Sequence, residues 1–145
     1  MRRRTFIAGL GGAAVSSVVT QAEQSKRPPT IGFIGSSTPS AMGPWVSAFN
    51  QRLLELGWVE GRTLTINYRW AEGRNERYAE IAHEFVRSKV DVIVTYGTPS
   101  TKAAQQATTS IPIIFAAAAD PVGNGLVASL ARPTGNITGL SLQQS

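Results

Sequence analysis

The chain has 145 residues, one domain's worth, with 14 Lys and Arg against 9 Asp and Glu and a pI near 10.2. The absence of cysteine and the single histidine, His83, exclude a disulfide framework, a thiolate nucleophile, a cysteine or histidine-pair metal site and redox chemistry by the protein itself. Three of the 14 cations are Arg2, Arg3 and Arg4; beyond them 11 scattered cations face 9 acids, which leaves no basic footprint for nucleic acid.

Those arginines open a run, Met1-Arg2-Arg3-Arg4-Thr5-Phe6-Ile7, that passes into an apolar Gly/Ala/Val stretch through Val19 and then into small residues at Thr20 and Ala22. A basic segment, an apolar segment and small residues before a cleavage point make a secretory signal over residues 1–22, cut after Ala22. A membrane span needs about 20 apolar residues. This run is shorter and rich in Gly and Ser, so no span is expected to remain after cleavage. Arg3-Arg4-Thr5-Phe6-Ile7 fits the twin-arginine export pattern, and an ordinary Sec signal with extra arginines is the alternative. Both routes place the protein in the periplasm of a bacterial cell.

Residues 23–29 are polar and close on Pro28-Pro29, as an extended tether would. Folding is expected from Thr30, with Thr30-Ile31-Gly32-Phe33-Ile34 as a buried parallel strand. From Pro44 the positions Trp45, Val46, Phe49, Leu53 and Leu56 recur at helical spacing and form a core stripe that ends at Gly57. Residues 63–70 alternate polar and apolar like a half-exposed edge strand. Asn75 then caps a helix whose buried stripe is Tyr78, Ile81, Ala82 and Phe85.

Residues 90–95 read as a buried strand, and Thr98-Pro99 as an N-cap and first residue of a helix reaching Thr108. A fourth strand over residues 111–115, a short helix over residues 125–131 and a fifth strand over residues 136–141 complete the pass. Strands alternating with helices at this pitch predict α/β architecture: a doubly wound parallel sheet of order 2-1-3-4-5, with helices on both faces and right-handed crossovers.

In such a sheet a ligand binds beyond the carboxyl ends of the strands, where strand order reverses. The loops there are residues 35–44, 96–99 and 117–121. Ser36, Ser37, Thr38 and Thr98 bring hydroxyls and amides, and the helix beginning at Thr98 turns its positive end to the crevice, which suits a carboxylate or phosphate. Asp120 is the one acid near that edge: it pairs with an amino group or, with Pro121, starts a turn. Trp45 and Tyr96 offer aromatic surface, Trp45 being assigned to the core stripe. Neither G-x-G-x-x-G, nor a phosphate loop, nor G-x-S-x-G is present, and His83 is far along the chain from the loop serines, so no catalytic constellation and no cofactor are expected.

The ordered segments carry more information than any one motif. Ile31-Gly32-Phe33-Ile34, Leu54-Glu55-Leu56-Gly57-Trp58-Val59-Glu60-Gly61, Tyr68-Arg69-Trp70-Ala71-Glu72-Gly73, Asp120-Pro121-Val122, Gly125-Leu126-Val127-Ala128-Ser129-Leu130-Ala131-Arg132-Pro133 and Gly135-Asn136-Ile137-Thr138-Gly139 occur in sequence. Over residues 30–141 the chain closely resembles the ABC transporter substrate-binding protein family, of the tryptophan- and tyrosine-binding type. The resemblance implies a type I periplasmic-binding fold and non-covalent capture of a small solute, an amino acid or another small carboxylate, between two lobes for delivery to a transporter permease. By position it points to Ser36, Ser37, Gly97, Thr98 and Asp120 as ligand-binding residues. It implies no enzyme activity, no cofactor and no metal. Members continue past the Gly-Asn-x-Thr-Gly segment into a second lobe, so residues 30–145 are expected to be the amino-terminal lobe alone, with the second missing. A periplasmic ligand-sensing module and a truncated, non-functional receptor fragment are the alternative readings.

Overall fold

The computed structural model describes residues 27–129 and 135–142, the side chain of Leu142 excepted. The signal expected over residues 1–22, most of the tether expected over residues 23–29, and the end of the helix expected over residues 125–131 lie outside the described residues. Eight elements occur in order: β1 (Thr30–Gly35), α1 (Gly43–Glu55), β2 (Thr65–Trp70), α2 (Asn75–Arg87), β3 (Val92–Tyr96), α3 (Thr98–Ala107), β4 (Ile113–Ala119) and β5 (Ile137–Leu142). The five strands form one parallel sheet ordered β2-β1-β3-β4-β5, as the alternation of periodicities predicts. Because β1 pairs with both β2 and β3, the chain winds outward in both directions from β1, and strand order reverses beside it.

Alternation along the strands divides the core in two. Ile34, Ile93, Ile113 and Phe115 face α2 and α3, where Tyr78, Ile81, Ala82, Phe85 and Ala104 pack onto them. The spacing of the α2 residues puts them on one stripe, and Phe85 is 1% exposed, a burial contributing roughly 1.5–3 kcal/mol. Its ring lies over the β1 backbone at Gly32, where an added Cβ would stand 2.5 Å from a ring carbon. Glycine is what allows this helix to sit so near the strand.

On the other face Phe33 meets Phe49, Tyr68 and Trp70 at ring-centroid distances of 5.9, 5.5 and 5.9 Å, beside Met42, Leu64, Ile66 and Val94. α1 covers this face with the half-buried side chains of Val46, Phe49 and Leu53, and Tyr68 donates to Asn50 Oδ1 at 3.1 Å. None of its residues is fully buried, and Trp45 and Leu56 are each 60% exposed, so the stripe expected of α1 is narrower than its sequence pattern suggests. Ile114, in register with Val94 on the same side, and Leu140 are also exposed.

Several boundaries differ from the sequence reading. β4 runs on to Ala119 because Ala118 and Ala119 pair with Ser141 and Leu142 of β5 across a bulge at Ala117, whose φ is +57°. Asn75 is the first helical residue, and the cap position falls to Arg74 without a side-chain cap bond. Residues 121–129 are turn and irregular chain, so the helix expected from Gly125 does not form through Ser129; carbonyls of Pro121 and Val122 instead take the N–H groups of Leu126, Val127 and Gly125.

Candidate functional site

At the carboxyl edge of the sheet, three loops come together because β1, β3 and β4 are successive neighbours. The loop after β1 holds Ser36 and Ser37, both half-buried. The Ser36 carbonyl accepts the Gly73 N–H at 2.9 Å, and the Gly35 carbonyl accepts that of Ala71 at 2.9 Å, which ties this loop to the one leaving β2. The Ser36 hydroxyl is spent on Met42 Sδ at 3.7 Å, a weak bond, whereas that of Ser37 makes no hydrogen bond among the described residues. Thr38 is occupied locally: its oxygen lies 3.1 Å from Ser40 Oγ and accepts the Ala41 N–H at 3.2 Å.

The loop after β3 is a single residue. Gly97 adopts φ +86°, ψ 164°, a region essentially restricted to glycine, and is itself the N-cap of α3. Thr98, expected as the cap, is instead the first helical residue, and its hydroxyl donates to the Ala119 carbonyl at 3.4 Å. A Thr-Pro pair has the local signature of a cap followed by N1; the glycine conformation before it moves the helix start back by one residue.

A lattice of hydroxyls that the sequence reading missed fixes this helix start. Ser100 donates to the Tyr96 carbonyl at 2.7 Å, Thr101 to the Gly97 carbonyl at 2.7 Å, and the buried Thr95 and Thr101 oxygens are 2.8 Å apart. Their signal in the sequence is Thr95 inside an otherwise apolar strand, six residues before a threonine on the next helix. The result is a helix N-terminus with no side-chain cap and with Pro99 in its first turn, its positive dipole end at the crevice.

After β4, Asp120 has φ +40° and accepts the Gly123 N–H on Oδ1 at 3.0 Å, while its carbonyl accepts the Asn124 N–H at 2.9 Å. This is a turn-forming role, one of the two read for it, and it leaves Oδ2 open. Trp45, exposed instead of buried, stands beside Tyr96 with ring centroids 5.9 Å apart and a 45° tilt. These two aromatics join the start of α1 to the end of β3, so they border the crevice between the first two loops. The edge therefore combines a free hydroxyl, an open helix N-terminus, an aromatic wall and one carboxylate oxygen. Such a set suits reversible binding of a small molecule with an anionic group; among the described residues it holds no nucleophile paired with a base. No helix among those residues is long and apolar enough to cross a membrane.

Comparison with known proteins agrees with this fold. A "Tyrosine-binding protein" of Clostridioides difficile (strain R20291) is 36% identical over 117 residues, covering 81% of this chain and 34% of that protein. A conserved domain protein from Vibrio cholerae O1 biovar El Tor superposes with a TM-score of 0.74 at 34% identity, over 79% of this chain and 39% of its own. An ABC domain from Streptococcus pneumoniae in complex with L-Trp gives 0.73 at 28% identity, over 79% and 39%. The chain thus spans somewhat more than a third of the length of these relatives. The family model for ABC transporter substrate binding protein matches residues 37–145, and the chain belongs to that family.

Proposed function

We propose that this chain forms the first lobe of an exported solute receptor that holds a small molecule, an amino acid or another small carboxylate, at the carboxyl edge of its sheet and delivers it to a transporter permease. The observation that carries this reading is the helix N-terminus at Gly97 and Thr98, left without a side-chain cap beside the free Ser37 hydroxyl. A carboxylate seated there receives amide N–H groups and the positive end of the α3 dipole. Trp45 and Tyr96 supply an apolar wall for the rest of the solute, and the open Asp120 oxygen supplies a partner for an amino group. Both the tyrosine named for one relative and the L-Trp bound by another have these three parts. The reading includes periplasmic residence and closure of the crevice by a second lobe.

Thermal unfolding of the chain against a panel of amino acids and small carboxylates tests it. A binding solute raises Tm with concentration by mass action, and its amide or methyl ester raises it far less, because the carboxylate is the recognised group. A folded sample whose Tm responds to no carboxylate in the panel, or equally to acid and ester, refutes the reading.

A further inference from the structure

The opposite end of the sheet carries a second concave site. A cavity of about 630 Å³ opens between the residues entering β1, the turn before β2 and the end of α2; Arg27, Trp58, Arg62, Lys89 and Asp91 are among the residues lining it. Three cations face one acid there, and none of the three makes an ion pair or side-chain hydrogen bond among the described residues. The Asp91 carboxylate is turned to the backbone, accepting the Thr30 N–H at 2.7 Å.

The walls are held in place. The Pro29 carbonyl accepts the Thr65 N–H at 3.0 Å, and the Thr30 carbonyl accepts that of Asp91 at 2.8 Å. Arg62 sits in a turn whose N–H bonds return to the Val59 carbonyl, with Thr63 Oγ1 accepting the Val59 N–H at 2.8 Å.

The cap of α2 makes the charge at residue 89 informative. α1 and α2 end in the same motif, in which two N–H groups reach back to helix carbonyls: Gly57 to Leu54 and Trp58 to Leu53 in one, Lys89 to Val86 and Val90 to Phe85 in the other. The left-handed position is Gly57 at φ +93° in α1 and Lys89 at φ +56° in α2. Glycine occupies that conformation at least steric cost, so a lysine there sets a cation at the cavity against local backbone preference. The dipole of α2 accounts for one positive charge near its end. It does not account for Arg27 and Arg62, which crowd like charges around one space.

We propose that this cavity is an anion site for a phosphate-bearing ligand, separate from the solute crevice. Guanidinium groups at Arg27 and Arg62 match phosphate oxygens in planar, two-point fashion, and Lys89 adds a point charge. Trp58, 42% exposed, gives a flat wall for whatever the phosphate is attached to. Free phosphate and a phospholipid headgroup share this chemistry.

The test titrates the 145-residue chain with inorganic phosphate at constant ionic strength by calorimetry, and separately with phosphatidylglycerol vesicles by co-sedimentation, each against the double variant Arg62→Gln/Lys89→Gly. Glycine at residue 89 suits the cap, so the variant is expected to unfold at the same temperature as the parent or higher. Saturable phosphate binding that weakens at least tenfold in the variant supports a free-anion site. A tenfold loss confined to vesicles supports the headgroup as the source. Parent and variant behaving alike in both arms overturns the proposal, whatever the signal segment contributes to vesicle binding, since both proteins carry it.

Discussion

Replacing Gly97 by alanine isolates the backbone conformation on which the candidate site rests. An added Cβ would meet no atom closer than Pro99 Cδ at 3.9 Å, so no steric clash enters the cost. What remains is the φ +86°, ψ 164° conformation, which costs a non-glycine residue on the order of 1–3 kcal/mol. Alanine also narrows the unfolded ensemble, worth about 0.4–1 kcal/mol in the other direction. The net expectation is a loss of roughly 1–2 kcal/mol. That corresponds to a fall in Tm of roughly 4–8 °C for a domain of this size. Relaxation does not offer an easy escape. The Gly97 N–H is bonded to the Ala116 carbonyl at 3.1 Å, and its own carbonyl accepts the Thr101 N–H and the Ser100 and Thr101 hydroxyls. Rotating either peptide breaks bonds worth about 1 kcal/mol each. Gly43→Ala is the control. Gly43 is the first residue of α1, its φ is not positive, and nothing lies within 4 Å of an added Cβ. Alanine there is expected to be neutral or stabilising by up to about 1 kcal/mol. Urea unfolding monitored by circular dichroism reads both. A Gly97→Ala protein as stable as the parent, with Gly43→Ala behaving as stated, would refute the assignment of a glycine-only backbone to the crevice.

The core and its tyrosines give two more expected outcomes. Gly32→Ala forces the Phe85 ring from the β1 backbone and is expected to cost about 1–3 kcal/mol; in the double variant with Phe85→Leu the two losses should be markedly less than additive in urea unfolding, and full additivity would mean that the ring is not what the methyl meets. Burial raises the hydroxyl pKa of Tyr68, partly opposed by its hydrogen bond with Asn50, and burial also raises that of Tyr78. In both, the folded state holds its proton to higher pH than the unfolded state. Stability from these groups is therefore intact below the ordinary tyrosine value of 10.0 and falls as pH rises through the folded values. Tyr78→Phe is expected to flatten that alkaline decline in unfolding free energy, and an unchanged slope above pH 10 would count against it.

The sheet order was legible because two periodicities alternate without ambiguity, and each crossover has one allowed hand. β4 was misjudged for a physical reason. Residues 116–119 are four alanines with little strand preference of their own; Ala116 is strand because it pairs with Tyr96 of β3, and Ala118 and Ala119 because they pair with Ser141 and Leu142 of β5. Trp45 was misassigned similarly. Its spacing fits the α1 stripe, yet it stands at the helix start, past the edge of the sheet that the stripe covers, and meets Tyr96 instead. In each case the deciding contact is distant in sequence, where a periodicity has no information.

The site divides along the same line. That Ser36, Ser37, Gly97, Thr98 and Asp120 share one edge is a consequence of topology alone, since each lies just past the carboxyl end of a strand. The part each group plays there depends on angles and angstroms. Ser36 and Ser37 are adjacent in the chain, but one hydroxyl turns to Met42 and the other stays free. Asp120 has one carboxylate oxygen holding a turn and one available. The buried Thr95–Thr101 pair contributes most where sequence reasoning saw least: with Ser100 it pins the start of α3 to β3, while the cap position is held by Gly97, which has no side chain to cap with. The amide end at Thr98 is thereby rigid yet uncapped, the condition under which a helix terminus can offer its N–H groups to a ligand without first giving up a bond of its own.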